Sequence, residues 1–213
     1  SYYTFNDKEE MCNESGKARK LSSIRSFFKY LFTRDYLTSD VASKVKVPKK
    51  HEKEIIRLDV NSEVNEIADL IDTVDTGDGL TQRQKKFHNI TKIRDVAMIT
   101  LFLGTGIRIS ELVGLNVGDV NLDTCSFVVT RKGGNRSILY FGEEVKDALN
   151  DYVYVERGLD FKKDKNQPLF LSLQGSRISV RAVENIVKKY AFISAPLKKI
   201  TPHKLRSTFG TNL

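Results

Sequence analysis

Two cysteines in 213 residues, Cys12 and Cys125, are too few for a disulfide framework and lack the spacing of a zinc site. Reduced thiols in a cytoplasm are the simplest reading of them. No apolar run reaches the ~18 residues a membrane-crossing helix needs, and no signal-peptide pattern follows Ser1. No carboxylate cluster suited to two metal ions is evident. No internal repeat or low-complexity tract stands out.

What the chain does have is ordinary bulk and an excess of positive charge. At 40% hydrophobic and 29% charged residues it is long enough for a real core and for one or two domains. A net charge of +8 and a pI near 9.4 argue for a polyanionic partner, while saying nothing about fold.

Along the chain, residues 1–16 are polar, and a frayed or partial helix is expected. From Lys17 onward Leu21, Ile24, Phe28 and Leu31 recur at helical spacing, with Phe27 widening the stripe. Lys17, Arg19, Lys20, Arg25 and Lys29 surround that stripe. Such charges are ordinarily a solvated face, and phosphate contact is the alternative. Ser39-Asp40 opens a short helix through Val45 that ends before Pro48. The charged stretch Lys46–Lys53 marks a domain boundary, with His51 a linker residue. Ser62 is then expected to cap a helix whose apolar face is Val64, Ile67, Ala68, Ile71 and Val74, closed by Gly77. Residues 77–91, with Arg83, Lys85, Lys86 and His88, read as a polar basic loop in which the histidine is exposed. A buried helix starts at Ile93 and runs to Leu103, and a new short helix begins around Ile109. Cys125–Thr130 reads as a strand, Arg131–Arg136 as a turn and Ser137–Phe141 as the returning strand. An amphipathic helix covers Glu143–Arg157, and Pro168–Ser172 reads as a short strand. Ser179 caps a helix that turns Val183, Ile186, Val187 and Tyr190 inward. Tyr190 is thus a core residue rather than a nucleophile.

Three stretches carry the chemistry. In Gly104-Thr-Gly-Ile-Arg108 the glycines break a buried helix and place Arg108 at its mouth, where a helix N-terminus also favours an anion. The bland alternative is a surface arginine paired with Glu111 at i,i+3, worth a few tenths of a kcal/mol. Thr201-Pro202 signals a helix start, which puts His203 and Arg206 on one face of its first turn. Alone, His-x-x-Arg is weak, and so is Lys132 at a hairpin tip. In this order they form a specific set, with Arg131 and Arg136 as local rivals of Lys132.

Thr105-Gly-Ile-Arg108-Ile-Ser-Glu111-Leu, Val129-Thr-Arg-Lys132-Gly-Gly and His203-Lys-Leu-Arg206-Ser-Thr-Phe resemble the motifs of the tyrosine recombinases of the phage-integrase family. The resemblance implies a mostly α fold with a small antiparallel β-hairpin or sheet. It implies the end of a helical core-binding domain over 1–45, a linker over 46–57 and a catalytic domain over 58–213. Arg108, Lys132, His203 and Arg206 would surround a scissile phosphate, with Glu111 steadying Arg108 from behind. Lys17, Arg19, Lys20, Arg25, Lys29, Arg131 and Arg136 would contact DNA. The implied activity is cleavage and rejoining of double-stranded DNA through a 3′-phosphotyrosyl link, without metal or cofactor, by a tetramer on paired sites. The implied setting is a cytoplasmic, nucleoid-associated protein of a phage or mobile element. The family also needs a further His or Trp and a tyrosine beyond His-x-x-Arg, and residues 207–213 hold neither. The expectation is therefore a chain cut at both ends that binds duplex DNA but does not cleave it alone. A non-catalytic DNA-binding relative and a type IB topoisomerase remain alternatives.

Overall fold

Asn13 starts the first helix: its side-chain oxygen accepts the Gly16 N–H at 2.8 Å, and α1 follows over Glu14–Thr33. This is a computed structural model, which describes residues 12–47, 58, 65–131 and 133–209. The chain divides into two units, Ser1–Ile55 and Ile56–Leu213. In the first, α1 buries Ala18 and Leu21, and a 3-10 turn at Val41–Lys44 buries Ala42. Asp40 caps that turn by accepting the Ser43 N–H, and the Arg25 guanidinium donates to the Ser43 carbonyl at 2.9 Å, tying turn to helix.

The second unit is built around α3, Gln82–Thr105, against which α2 (Glu66–Thr76), α5 (Glu143–Asn150) and α7 (Pro202–Phe209) pack. Helix α6 (Val180–Ser194) packs on α2, α4 (Ile109–Gly114) and α7. The middle of α3 is surrounded on every side: Ala97, Met98, Ile99, Leu101 and Phe102 are all fully buried. Such a helix shows no apolar stripe, because no face of it is left to water. A small antiparallel sheet, β1 (Val120–Asn121), β2 (Ser126–Thr130) and β3 (Arg136–Tyr140), lies in the order β1-β2-β3. Its register pairs Phe127 with Leu139 and Thr130 with Arg136, and Phe127 and Val129 point into the core.

Several expectations need correction. Residues 82–91 are not a loop but the first turns of α3. Thr81 and Gln84 form a reciprocal capping box there, with Gln84 Oε1 accepting the Thr81 N–H at 2.9 Å. His88 is therefore buried rather than exposed, and its Nε2–H donates to the Val74 carbonyl at 2.7 Å. The cap of α2 is Asn65, which accepts the Ala68 N–H at 3.0 Å; Ser62 and Val64 lie outside the described residues. Arg136 belongs to β3 rather than to the turn, and β1 adds a third strand to the expected hairpin. The α-helix from Glu143 stops at Asn150 and continues as a π-helical turn, Asp151–Glu156, with Arg157 as its cap.

Pro168–Ser172 forms no strand, only isolated bridges from Pro168 to Asn116 and from Leu171 to Arg177. Proline offers no N–H to a ladder, and arginines take the carbonyls instead. Arg157 donates to Pro168 and Leu169 at 2.6 and 2.8 Å, and Arg94 donates to Leu171 at 2.8 Å.

Asp95 is the ionic centre of this unit. Fully buried on α3, its carboxylate accepts from Arg94 Nε and Nη2 at 3.0 and 2.7 Å, from Thr91 at 3.2 Å and from the Tyr190 hydroxyl at 2.9 Å. Lys189 Nζ stands 3.5 Å away. One carboxylate thus joins α3 to α6 and, through Arg94, to the 168–172 segment. Asp95→Ala strands a buried guanidinium, and we expect it to destabilise the chain by roughly 3–5 kcal/mol. Urea unfolding measures this, and a loss under about 1 kcal/mol would mean that water replaces the carboxylate without penalty.

Candidate functional site

Helix α3 ends in a turn with little freedom. The Thr105 hydroxyl donates back to the Leu101 carbonyl at 2.6 Å, and Gly106 enters the left-handed region at φ 56°. A Cβ on Gly106 would lie 2.6 Å from Phe209 Cδ1, and one on Gly104 would lie 2.7 Å from Val145 Cγ2. Both positions therefore exclude a side chain on grounds of space. Ile107 is then driven into the core and Arg108 emerges, extended, as the residue before α4. Glu111 takes both ends of it, accepting the Arg108 N–H at 3.1 Å and its guanidinium at 2.7 Å. The carboxylate is buried while the arginine side chain is half exposed, so the pair steadies Arg108 from below and leaves its outer edge in solvent. The backbone N–H of Arg108 is committed to Glu111 and is not left for an anion.

The second half of the site comes on α7. The Thr201 carbonyl accepts from Lys204 and Leu205 at 2.8 and 3.0 Å, which starts the helix at a buried Pro202. Leu205 is fully buried, and Thr208 Oγ1 accepts the Leu58 N–H at 3.1 Å. These anchors turn Arg206 toward the α3–α4 turn, where its guanidinium donates to the Gly106 carbonyl. His203, one turn earlier, is exposed. Arg108, His203 and Arg206 line a single cleft walled by Ile107, Ile109, Ser110 and Pro202. Of the expected residues, these three are brought together, with Glu111 behind the first.

Lys132 lies outside the described residues. Beside it, Arg131 and Arg136 are both exposed. The turn between them closes through Arg131 N–H to Asn135 O at 2.8 Å, with Gly133 and Gly134 both at positive φ. In the first unit, Arg25 and Lys29 share a shallow cleft with Ser22, Ser26, Asp40 and Ser43, and Arg19 is exposed. Lys17 pairs with Glu14 at 2.9 Å, and Lys20 is half-buried.

The Gly106 carbonyl, not only the conformational freedom expected of that residue, takes part in the site. The glycine marked the left-handed turn, but nothing local in the sequence pointed to Arg206 as the partner of its carbonyl. No tyrosine borders the cleft among the described residues. Tyr190 is fully buried, and burial first and the Asp95 charge second hold its phenol well above the ordinary range. Such a group stays protonated and makes no nucleophile. Among the described residues no group of three or more His, Cys, Asp or Glu side chains could hold a metal ion. No helix among them is long and apolar enough to cross a membrane.

Residues 61–213 match the phage integrase family. The chain is 36% identical over 202 residues to tyrosine recombinase XerC of Thermodesulfovibrio yellowstonii, a match covering 92% of this chain and 61% of that protein. It is 33% identical over 226 residues to tyrosine recombinase XerS of Streptococcus agalactiae, covering 98% and 62%. The chain thus spans less than two thirds of the length of these curated relatives. Among solved structures, the Tn1549 transposon integrase in complex with a circular intermediate DNA is similar, with a TM-score of 0.65 and 20% identity over 95% of this chain and 67% of that one. XerH site-specific recombinase bound to difH substrate has a TM-score of 0.61 at 19% identity, covering 93% and 53%. At such identities the likeness concerns the fold.

The setting of Tyr190 also fixes an alkaline limit. In the unfolded chain its phenol ionises near 10, whereas the folded chain holds the proton to higher pH. Its contribution to stability is complete below about pH 10 and is lost as pH rises above it. Tyr152, raised by burial, acts with the same sign. Lys189, lowered chiefly by burial, acts with the opposite sign and only below its unfolded value of 10.5. We expect the unfolding free energy to fall between about pH 10.5 and 12, and Tyr190→Phe to flatten that fall. An equal slope in the variant would remove Tyr190 as its source.

Proposed function

This chain belongs to the phage integrase family, and from that premise we propose that it is the phosphate-handling part of a site-specific DNA recombinase. The observation that carries this reading is the single cleft lined by Arg108, His203 and Arg206. A phosphodiester under attack gathers negative charge on its non-bridging oxygens. Two guanidinium forks suit that charge in shape and sign. Each arginine commits one N–H to a protein acceptor, Glu111 for Arg108 and Gly106 for Arg206, and a guanidinium carries five. His203 hydrogen-bonds the same phosphate or passes a proton. Lys132 protonates the leaving 5′ oxygen, a role taken from the family resemblance.

The attacking group in this reading is a tyrosine hydroxyl from outside the described residues. It displaces the 5′ oxygen and leaves a 3′-phosphotyrosyl ester, whose bond energy is kept for rejoining. Glu111 takes no part in the transfer. A carboxylate facing the phosphate would repel it, and this one is turned inward onto Arg108. The DNA partner is a duplex gripped by spread phosphate contacts, with Arg19, Arg25, Lys29, Arg131 and Arg136 as contributors alongside Lys17 and Lys20. The complete assembly is a tetramer on paired sites, as the family resemblance implies.

Arg108→Ala and Arg206→Ala test the assignment in the full-length gene product acting on its DNA target. Each is expected to lower strand cleavage at least ~10²-fold, the scale of losing one charge-stabilising donor. Duplex affinity should change little, with a salt dependence shallower by about one counterion at most. Cleavage that survives either substitution would refute the site.

A further inference from the structure

We infer that Phe209 is a positioning residue, whose ring packs on Gly106 and thereby fixes the carbonyl that aims Arg206 into the cleft. This rests on the phosphate-handling role proposed for Arg206. Phe209 follows Arg206 by three residues in α7, so both side chains leave the same face of the helix. Both meet one residue. Phe209 Cδ1, Cγ and Cβ stand 2.6, 3.1 and 3.3 Å from where a Gly106 Cβ would lie, so the ring occupies the space a side chain would take. On its carbonyl side the same glycine accepts the Arg206 guanidinium. Residue 106 is therefore held between two side chains of α7, one apolar and one cationic.

The anchoring of α7 does not itself depend on the phenyl ring. Leu205 is buried in the core and Thr208 is bonded to Leu58, whereas Phe209 is half-buried beside Ile67, Leu103 and Val145. What the ring adds is a stop. Gly106 has no side chain of its own, and the peptide that carries its carbonyl is otherwise held only by a long bond of 3.4 Å from the Ile107 N–H to Thr105 Oγ1, so the ring limits how far that peptide can swing. A swing moves the carbonyl, and a long arginine tethered by one hydrogen bond follows it or lets go.

The probe is inorganic phosphate, titrated into residues 1–213 while the Arg206 guanidinium signals are followed by ¹⁵N NMR. In the parent chain the Arg206 N–H facing Gly106 should be slow to exchange, and phosphate should shift the Arg108 and Arg206 signals together. Phe209→Ala is expected to speed that exchange and weaken phosphate binding at least ~3-fold, since misplacing a group by an ångström costs more than that in organised sites. Phe209→Leu keeps apolar cover over the same neighbours and guards against loss of folding. It should show the same two changes with the unfolding midpoint near the parent value. Unchanged exchange and unchanged phosphate affinity in Phe209→Leu would overturn the inference. Arg206→Ala separates the two levels. If it leaves phosphate binding intact, the reading of the cleft fails; if it abolishes binding while Phe209→Leu is silent, only the role of Phe209 fails.

Discussion

Two segments 100 residues apart in the chain meet at one carbonyl, that of Gly106. The constraint is geometric before it is chemical. A left-handed residue ends α3, leaves no room for a Cβ, and turns the chain so that Ile107 is buried and Arg108 is not. The same turn offers its carbonyl to Arg206. The exit of Arg108 follows from that joint, and α7, seated by Leu205 and Thr208, brings Arg206 and His203 to it.

Cations are divided between two tasks. Arg94, Arg157 and Arg177 are spent on acceptors of the protein itself. Arg94 serves Asp95 and Leu171, Arg157 serves Pro168 and Leu169, and Arg177 serves Val113 and Leu115 at 2.8 Å each. Arg94 and Arg157 bind carbonyls of a segment that lacks regular strand pairing, which explains how an irregular stretch stays ordered over the core, and Arg177 binds those at the end of α4. Arg108 and Arg206 instead keep most of their donors at the cleft. The chain thus uses one residue type both as internal hydrogen-bond donor and as proposed anion site, and what distinguishes the two is that each guanidinium of the first set meets two or more protein acceptors and each of the second meets one.

Much of the second unit was legible in residue patterns. Amphipathic helices with one wet face, such as α5 and α6, announce themselves by spacing. The β2–β3 pair did so by its Val, Phe and Thr content and its glycine turn. The first turns of α3 did not, because a polar run, Gln82–Lys86, precedes a fully buried middle and no stripe connects them. Its capping box, Thr81 with Gln84, was the signal available there. His88 went with that error, since a histidine in a supposed loop reads as exposed, whereas on a helix it packs against Gly77 and Tyr190.

From its residues alone the chain determined that Arg108 would stand at a glycine break with Glu111 one turn on. It also determined that His203 and Arg206 would share a helical turn, because i,i+3 spacing and caps are local matters. A residue-level account of each half needs nothing beyond nearest neighbours. Only the tertiary structure decided that the two halves face one another, that Glu111 turns inward, and that Tyr190 is sealed against Asp95. These depend on the packing of α2, α5 and α7 around α3 and of α6 onto α2 and α7, and contacts between residues so distant in sequence leave no periodic trace in the sequence itself.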